Sequence, residues 1–279
     1  MTSEGTASPK SGLVITNGHL RLRQCRHGLM LYNLNDVYIG TMLDLYGEFS
    51  EGEVDIFRQL LRPGMTVVEV GANIGAHSVP IAKCVGPNGR VIAFEPQRAV
   101  FQILCANLAL NGLENVEAHW SAVGERIGEI FVPRLNSAAT NNFGGLSISN
   151  AEVGDKVRLV TVDEFRLPAC NFLKIDVEGM ELDVLRGSVD TIRQHGPVIY
   201  AENDRKAKSV ALIEFLFQLE YQCYWHMPPY VRTPNFRDNP ENKFPSIVSV
   251  NMLCVPRSKP IGVNNFRKIS SPEDWWEMT

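Results

Sequence analysis

The stretch VVEVGANIGAHS, residues 67–78, decides how the fold of this chain is interpreted. Its β-branched residues end at Gly71, a second glycine follows at Gly75, and helix-forming positions come next. Glycine has no Cβ, so backbone N–H groups at such a turn can approach a ligand closely and adopt dihedral angles that other residues avoid. Many proteins hold a nucleotide-like ligand on a strand that turns through glycines into a helix. The stretch therefore predicts a ligand-binding turn after the first strand of an α/β sheet.

Strand-like and helical segments alternate along the chain on the C-terminal side of this stretch. This alternation predicts an α/β fold with a mostly parallel sheet and helices on both faces. The last two predicted strands, 221–226 and 246–255, follow each other without a helix, which predicts an antiparallel pair at that edge. Shorter strand-like pieces at 129–133 and 156–162 lie in a more polar section. The other predicted strands are 66–70, 90–96, 115–123, 172–177 and 197–203, and the predicted helices are 75–85, 99–112, 179–193 and 205–219.

The chain divides by composition into a main domain and flanking segments. Residues 1–12 are polar and predict a disordered tail, whereas residues 13–62 predict an extension made of a β-hairpin or two and an amphipathic helix. Residues 63–256 predict the α/β domain, and residues 257–279 predict a C-terminal tail. We expect a single α/β domain with an N-terminal extension.

Composition excludes several classes of partner. A net charge of −4 shows no excess of basic residues that would attract a phosphate backbone, so we expect no nucleic-acid partner. The N-terminus is polar and no apolar run approaches the roughly 20 residues that span a bilayer, so we expect a cytoplasmic protein without a membrane partner. The six cysteines are scattered without metal-ligand spacing, which predicts reduced thiols. Composition does not indicate the oligomeric state.

A carboxylate, Glu95, accompanies the glycine turn at the end of the second predicted strand. A carboxylate there, about 20 residues past the turn, suits hydrogen bonds from ribose hydroxyls. Asn73 occupies the position of the second glycine in the dinucleotide fingerprint, and a pyrophosphate needs that glycine for close backbone approach. Glu69 adds negative charge, which suits a cationic ligand. A ribose, a positive charge and no phosphate together predict S-adenosylmethionine as the cofactor.

Other interpretations of the same residues stay open. An NAD(P)-dependent oxidoreductase could use the same general fold, although Asn73 argues against it. A non-catalytic binding module could keep the cofactor fold. The glycines could also make only a tight turn, with Glu95 as a solvated strand end. An RNA methyltransferase is disfavoured by the acidic charge balance.

Five segments resemble the FkbM family of S-adenosylmethionine-dependent methyltransferases: EVGANIGAHS, RVIAFEP, NLALNGLENV, FLKIDVEGMELDVLRG and SVNMLCVP. The combination of the glycine turn with KIDVEGME is specific, whereas the turn alone is shared by most class I methyltransferases. The resemblance covers about residues 50–256 and implies the seven-stranded, Rossmann-like class I methyltransferase sheet. It also implies O-methylation of a hydroxyl on a small-molecule, sugar, lipid or polyketide-type substrate. The cofactor-binding candidates are Glu69, Gly71, Asn73, Gly75, His77, Glu95, Pro96, Ser121, Ala122 and Asp176.

The catalytic candidates follow the later strands. Asp176 and Glu178 follow the fourth principal strand, Glu202 ends the fifth, and His226 ends YQCYWH. A hydroxyl nucleophile needs a proton acceptor, which typically contributes about 10²–10⁴-fold, while positioning contributes more. Acidic residues at the start of a helix also stabilise its dipole, and that explanation fits Glu178 equally well.

A metal ion is possible but not favoured. Asp176 and Glu202 lie on neighbouring predicted strands, and hard cations prefer oxygen ligands. The full ligand set of the metal-dependent O-methyltransferases is not visible in the sequence.

Two loops, 136–149 and 228–245, are predicted to shape the site for a small hydroxylated acceptor. The tetrapeptide MPPY, residues 227–230, resembles a motif of methyltransferases that act on nitrogen. It begins with methionine and follows a late strand, so we predict a loop turn with Tyr230 near the substrate.

Overall fold

The computed structural model describes residues 14–148, 151–259 and 261–277. The predicted tail, residues 1–12, lies outside the described residues. The N-terminal part forms two successive hairpins whose three strands pair antiparallel, followed by two helices, where the sequence predicted a hairpin or two and one helix. Its elements are β1 (Val14–Asn17), β2 (Leu20–Cys25), β3 (Gly28–Asn33), α1 (Ile39–Leu45) and α2 (Glu51–Leu60).

An eight-stranded sheet forms the centre of the molecule. Its strands are β4 (Thr66–Val70), β5 (Arg90–Phe94), β6 (Val116–His119), β10 (Phe172–Ile175), β11 (Val198–Glu202), β12 (Tyr221–His226), β13 (Asn251–Pro256) and β14 (Arg267–Lys268). They lie in the order β14–β12–β13–β11–β10–β4–β5–β6, and the five from β11 to β6 are parallel. β13 runs antiparallel between β11 and β12. This is the predicted class I methyltransferase sheet, with β14 added at the edge from residues predicted as a tail.

The third predicted strand, 115–123, is two strands that belong to different sheets. β6 ends at His119, whereas β7 (Ala122–Val123) joins β8 (Gly128–Val132) and β9 (Asp155–Val160) in a separate sheet of order β7–β9–β8. The separation occurs at Trp120 and Ser121, where the chain leaves the main sheet. The prediction of one continuous strand is wrong because only Val116–His119 find a partner on β5.

Helices cover both faces of the sheet. They are α3 (Ser78–Val85), α4 (Arg98–Leu110), α5 (Glu181–Arg186), α6 (Val189–His195) and α7 (Lys206–Gln218), and a short 3-10 helix spans Asp163–Phe165. The single helix predicted over 179–193 is broken between α5 and α6. A Cβ on Gly187 would overlap the carbonyl oxygen of Gly124, and the Ser188 hydroxyl donates to the carbonyl of Val184 at 2.6 Å. Helix α5 therefore ends at Gly187, where the contact with Gly124 leaves room only for glycine.

The core has two layers because successive strand residues point to opposite faces. On β4, Val68 and Val70 pack with residues of α5, α6 and α7, whereas Val67 packs on the other face with Phe57 and Ile81. Burial on both faces explains why the central strands are apolar without alternation. All six cysteines lie in the described part of the chain and are unpaired, as predicted. Over the described residues, we find no helix with the length and apolar character needed to cross a membrane.

Candidate active site

The turn after β4 brings the ends of β4, β5 and β10 together. The N–H groups of Gly71 and Ala72 both donate to the carbonyl of Phe94, at 3.0 and 2.9 Å. Gly71 has a φ of +84°, and a Cβ at this position would overlap the main-chain oxygen of Asp176. Glycine is required here by both its dihedral angle and the available space. The turn predicted to bind the cofactor is therefore packed directly against the strand end that carries Asp176.

Asn73 and Gly75, the next two residues identified in the sequence, have different structural roles. Asn73 has a φ of +49°, and its N–H donates to Oε2 of Glu95 at 3.0 Å. Gly75 has a φ of +84°, and a Cβ on it would lie 2.8 Å from Cδ1 of Leu104 on α4. Gly75 does not belong to the described residues that line the cavity. Its left-handed dihedral angle, together with close packing against α4, explains this second glycine.

Glu95 lies immediately past β5 and is only 3% exposed. Its Oε2 accepts the bond from Asn73, and its Oε1 accepts one from the N–H of Gln97 at 2.7 Å. Burial raises the pKa of Glu95 to about 7, although the two backbone bonds act against this rise. Each carboxylate oxygen keeps further acceptor capacity. The side chain is therefore fixed at the strand end where ribose hydroxyls were predicted.

A cavity of about 470 Å³ opens over the carboxyl ends of the parallel strands, where open α/β sheets bind ligands. Nine of the ten cofactor-binding candidates line it, all but Gly75. Three of the four catalytic candidates line it as well: Asp176, Glu178 and Glu202. The cofactor-binding candidates that line it are Glu69, Gly71, Asn73, His77, Glu95, Pro96, Ser121, Ala122 and Asp176.

Lys174 connects two of the predicted residues and was missed by sequence reasoning. It lies opposite Glu69 in the pairing of β10 with β4 and is 2% exposed. Its Nζ donates to Oδ2 of Asp176 at 3.2 Å and lies 3.7 Å from Oε1 of Glu69. Burial acts to lower the pKa of Lys174, but the two carboxylates raise it above its ordinary value. Lys174 therefore largely balances the negative charge of Glu69 inside the protein. The sequence signal for Lys174 was a charged residue within the apolar strand FLKI.

Three carboxylates meet on the rim of the cavity. Asp176, Glu178 and Glu202 each offer an oxygen, and these oxygens lie within 4.8 Å of one another. Burial raises the pKa of Glu178 to about 7, with a further rise from Asp176. Burial followed by these neighbouring charges also raises the pKa of Glu202 well above its ordinary value. Arg205 forms an ion pair with Glu178, and the Asp176 side chain is 38% exposed.

These three oxygens could hold one divalent cation or share protons. The group extends the predicted metal pair, Asp176 and Glu202, by Glu178. Two of the three carboxylates already face a cation of the chain, because Lys174 donates to Asp176 and Arg205 pairs with Glu178. A metal ion bound by these carboxylates therefore remains a prediction from the sequence, and the sequence did not favour it.

His77 lies immediately before α3 and lines the cavity, as predicted. Its ring contacts those of Phe49 and Phe57, each with centroids 5.3 Å apart. Burial, with a contribution from Lys174, lowers the pKa of His77 to about 3. So low a pKa makes the imidazole a weak proton acceptor near pH 7, which agrees with a wall residue better than with a general base.

His226 lies on β12, outside the cavity lining. Its Nδ1 is 2.7 Å from the hydroxyl oxygen of Tyr200, and its ring centroid is 4.7 Å from that of Phe266. Burial lowers the pKa of His226. We therefore drop His226 from the catalytic candidates, because its position is that of a hydrogen-bonded side chain in the core.

Part of the cavity wall comes from regions distant in sequence. Tyr38 and Phe49, on either side of α1, and Glu53 on α2 line the cavity. Tyr230, predicted to lie near the substrate, lines it from the loop 228–245. This loop is held as an irregular hairpin, because the N–H of Tyr230 donates to the carbonyl of Ile247 at 3.1 Å. Nothing local in the sequence marks Tyr38 or Phe49 as site residues.

The residues present fit S-adenosylmethionine better than a dinucleotide. Glu95 offers acceptors for ribose hydroxyls, and Oε1 of the fully buried Glu69, 3.7 Å from Nζ of Lys174, accepts no hydrogen bond from the described residues. The lysine and arginine that line the described cavity are Lys174 and Arg205, and each is already paired with carboxylates. No such cation is left to balance a pyrophosphate.

Comparisons with known proteins show which proteins this chain is similar to. The chain is 30% identical over 146 residues to Methyltransferase 1 of Beauveria bassiana (strain ARSEF 2860), covering 44% of this chain and 58% of that protein. It is 28% identical over 154 residues to Methyltransferase sdnD of Sordaria araneosa, covering 43% and 59%. The matches thus span about three fifths of each relative's length.

A crystal structure of methyltransferase FkbM from Methylobacillus flagellatus KT has a TM-score of 0.48 to this chain at 18% identity, covering 72% of this chain and 50% of that one. The family described as the methyltransferase FkbM domain matches residues 69–227, more than half of the 279 residues and the part that carries the glycine turn, Glu95 and the acidic rim. The chain therefore belongs to the FkbM methyltransferase family.

Proposed function

We propose that this chain transfers a methyl group from S-adenosylmethionine to a hydroxyl group of a small-molecule acceptor. The observation that carries the proposal is the arrangement of two carboxylates around one turn. Glu95 is fixed by the N–H of Asn73 on one side of the turn, and Asp176 is packed against Gly71 on the other. Both line the same cavity. A nucleoside held at Glu95 can therefore direct its other end toward Asp176.

Each part of the chain has a defined task in this proposal. Glu95 accepts hydrogen bonds from the ribose hydroxyls, while Pro96, Ser121 and Ala122 line the cavity beside it. S-adenosylmethionine, when bound, supplies a methyl group that is already activated on a sulfonium. The protein therefore has mainly to align the acceptor oxygen with that carbon, which can contribute up to roughly 7–11 kcal/mol.

Asp176 is the proposed proton acceptor. When bound, the sulfonium of S-adenosylmethionine would supply the methyl group and would leave as the neutral thioether, while the Asp176 carboxylate would take the proton that the acceptor hydroxyl loses. Asp176 is accessible from the cavity, and Lys174 holds one of its oxygens. Positioning should contribute more than proton transfer, which typically supplies about 10²–10⁴-fold.

Two variants test binding and turnover separately. We expect Glu95→Gln to raise the Kd of S-adenosylhomocysteine at least about tenfold, because charge-assisted bonds to two hydroxyls are lost. We expect Asp176→Asn to bind S-adenosylhomocysteine normally and to lose about 10²-fold or more in kcat. Calorimetric titration and transfer of a labelled methyl group to hydroxylated metabolites measure the two effects. Glu117→Gln, on the exposed edge strand β6, is the matched control.

The same measurements can contradict the proposal. Binding of NAD without binding of S-adenosylhomocysteine would support an oxidoreductase. Binding of S-adenosylhomocysteine without transfer to any acceptor would support a non-catalytic module. Full activity of Asp176→Asn would remove the assigned role of Asp176.

A further inference from the structure

Three aromatic rings form one wall of the cavity. This aromatic wall consists of Tyr38, Phe49 and Tyr230, all of which line the cavity and are partly exposed. The Tyr230 ring lies at right angles to Tyr38 with centroids 6.0 Å apart, and 5.8 Å from Phe49 in an edge arrangement. Phe244 supports Tyr38 at 5.7 Å. Partly exposed rings that face a cavity are suited to covering a flat apolar group.

The aromatic wall lies close to the acidic rim. Tyr230 lines the same cavity as Asp176, Glu202 and Glu53, and burial, followed by the charges of these carboxylates, raises the pKa of Tyr230. Phe49 also contacts His77, the residue that precedes α3 at the far end of the glycine turn. The wall and the proposed proton acceptor therefore line the same cavity.

The charge of the cavity is strongly one-sided. The acidic groups that line it are Glu53, Glu69, Glu95, Asp176, Glu178, Glu202 and Asp204. Burial raises the pKa of Glu95 and Glu178 to about 7 and that of Glu202 well above its ordinary value, so these three carry only part of the negative charge near pH 7. Its lysine and arginine, over the described residues, are Lys174 and Arg205, and both already form ion pairs with these carboxylates. An acceptor with its own carboxylate, phosphate or sulfate would meet like charges without a free cation, and such juxtapositions are strongly unfavourable.

Building on the methyl transfer proposed above, we propose that the acceptor is an aromatic alcohol without an anionic group. Its ring packs against Tyr38, Phe49 and Tyr230, and its hydroxyl points toward Asp176. The ring supplies the apolar area that the wall can cover, and the absence of negative charge matches the acidic rim. The N-terminal extension and the loop 228–245 thus determine the class of acceptor, while the glycine turn holds the cofactor.

Two compounds with the same ring system test this inference: 2-naphthol and 6-hydroxy-2-naphthoate. With the full chain and saturating S-adenosylhomocysteine, we expect saturable calorimetric binding of 2-naphthol and at least tenfold weaker binding of the anionic compound. We expect Tyr230→Leu to weaken 2-naphthol binding about five- to tenfold and to leave the Kd of S-adenosylhomocysteine unchanged. Phe131→Leu, an exposed ring on β8 outside the cavity lining, should change neither value.

The outcomes separate this inference from the proposed function. If S-adenosylhomocysteine binds but 2-naphthol does not, or if the naphthoate binds equally well, the assigned acceptor class is wrong and the methyltransferase proposal stands. Unchanged binding of 2-naphthol by Tyr230→Leu would also overturn it. If S-adenosylhomocysteine itself does not bind, the proposed function fails and this inference fails with it.

Discussion

Glu95 is the residue whose protonation should control cofactor binding near neutral pH. Burial raises its pKa to about 7 in the free protein, so it is mostly protonated below that pH. A protonated carboxyl group has less capacity to accept bonds from two ribose hydroxyls than a carboxylate has. Binding the ribose should therefore require release of this proton, and affinity should fall as the pH falls through 7.

We expect the Kd of S-adenosylhomocysteine to decrease about tenfold between pH 6 and pH 8, the change for one group that must ionise with a pKa of about 7. Glu95→Gln should bind more weakly and lose most of this dependence, because the amide does not titrate. Calorimetric titration at several pH values measures both. Glu117→Gln should keep the dependence of the original chain, and a Kd independent of pH in the original chain would contradict the assignment.

Single residues show where sequence reasoning works and where it stops. Glu95 was predictable because it follows a strand at a fixed interval from the glycine turn. His226 was wrongly grouped with the site, since its position after a strand does not reveal that its Nδ1 lies 2.7 Å from Tyr200 in the core. The role of Lys174 depends on lying opposite Glu69, which is a property of strand pairing and not of its own segment.

At the scale of elements, the turn after β4 depends on Gly71 for two separate reasons. Gly64, before β4, provides a comparison: it has a φ of +86° against +84° for Gly71, but a Cβ on Gly64 would meet no atom within 4 Å. Both positions carry the left-handed dihedral penalty, whereas Gly71 alone of this pair also packs against the main chain of Asp176. Comparing alanine substitutions at these two positions therefore separates the cost of the left-handed backbone conformation from the cost of steric overlap with Asp176.

We expect Gly64→Ala to destabilise the protein by about 1–2 kcal/mol, the penalty of a left-handed alanine. Gly71→Ala should add about 1–3 kcal/mol of overpacking to that penalty and should abolish binding of S-adenosylhomocysteine. Urea denaturation measures the stability, and calorimetric titration measures the binding. Equal destabilisation by the two variants, with binding retained in both, would show that contact with Asp176 does not constrain the turn.

The elements that were predicted correctly are those whose burial is encoded locally. The apolar runs of β4, β5, β10 and β11 are covered on both faces and are recognisable as strands without knowledge of their partners. The division of the third predicted strand depends on which sheet Ala122 pairs with, and the break between α5 and α6 depends on contact with Gly124. Both are long-range contacts, so periodicity could not reveal them.

For the whole molecule, the active-site cavity is assembled from three distant regions. The α/β domain supplies the glycine turn and the acidic rim, the N-terminal extension supplies Tyr38 and Phe49, and the loop 228–245 supplies Tyr230. That the glycine turn and the acidic rim line one cavity was predictable, because they lie within consecutive strands and turns. The aromatic wall was largely not predictable, because its residues meet only when the extension docks on the domain.

Asn107 on α4 is a principal connection in that docking and is fully buried. Its Oδ1 accepts from the N–H of Leu31 on β3 at 2.6 Å. Its Nδ2 donates to the carbonyls of Leu31 and Ile74 at 3.0 and 2.7 Å. One side chain therefore links the N-terminal sheet, helix α4 and the glycine turn.

We expect Asn107→Ala to destabilise the protein by about 2–4 kcal/mol, because it leaves buried backbone groups of Leu31 and Ile74 without partners. Amide hydrogen exchange in β3 should accelerate more than exchange in β10, since the loss is at the docking surface. Cys105→Ala, on the exposed side of the same helix, should change stability by no more than about 0.5 kcal/mol. If Asn107→Ala is as stable as Cys105→Ala, other contacts must hold the extension in place. The aromatic wall would then not depend on the hydrogen bonds of Asn107.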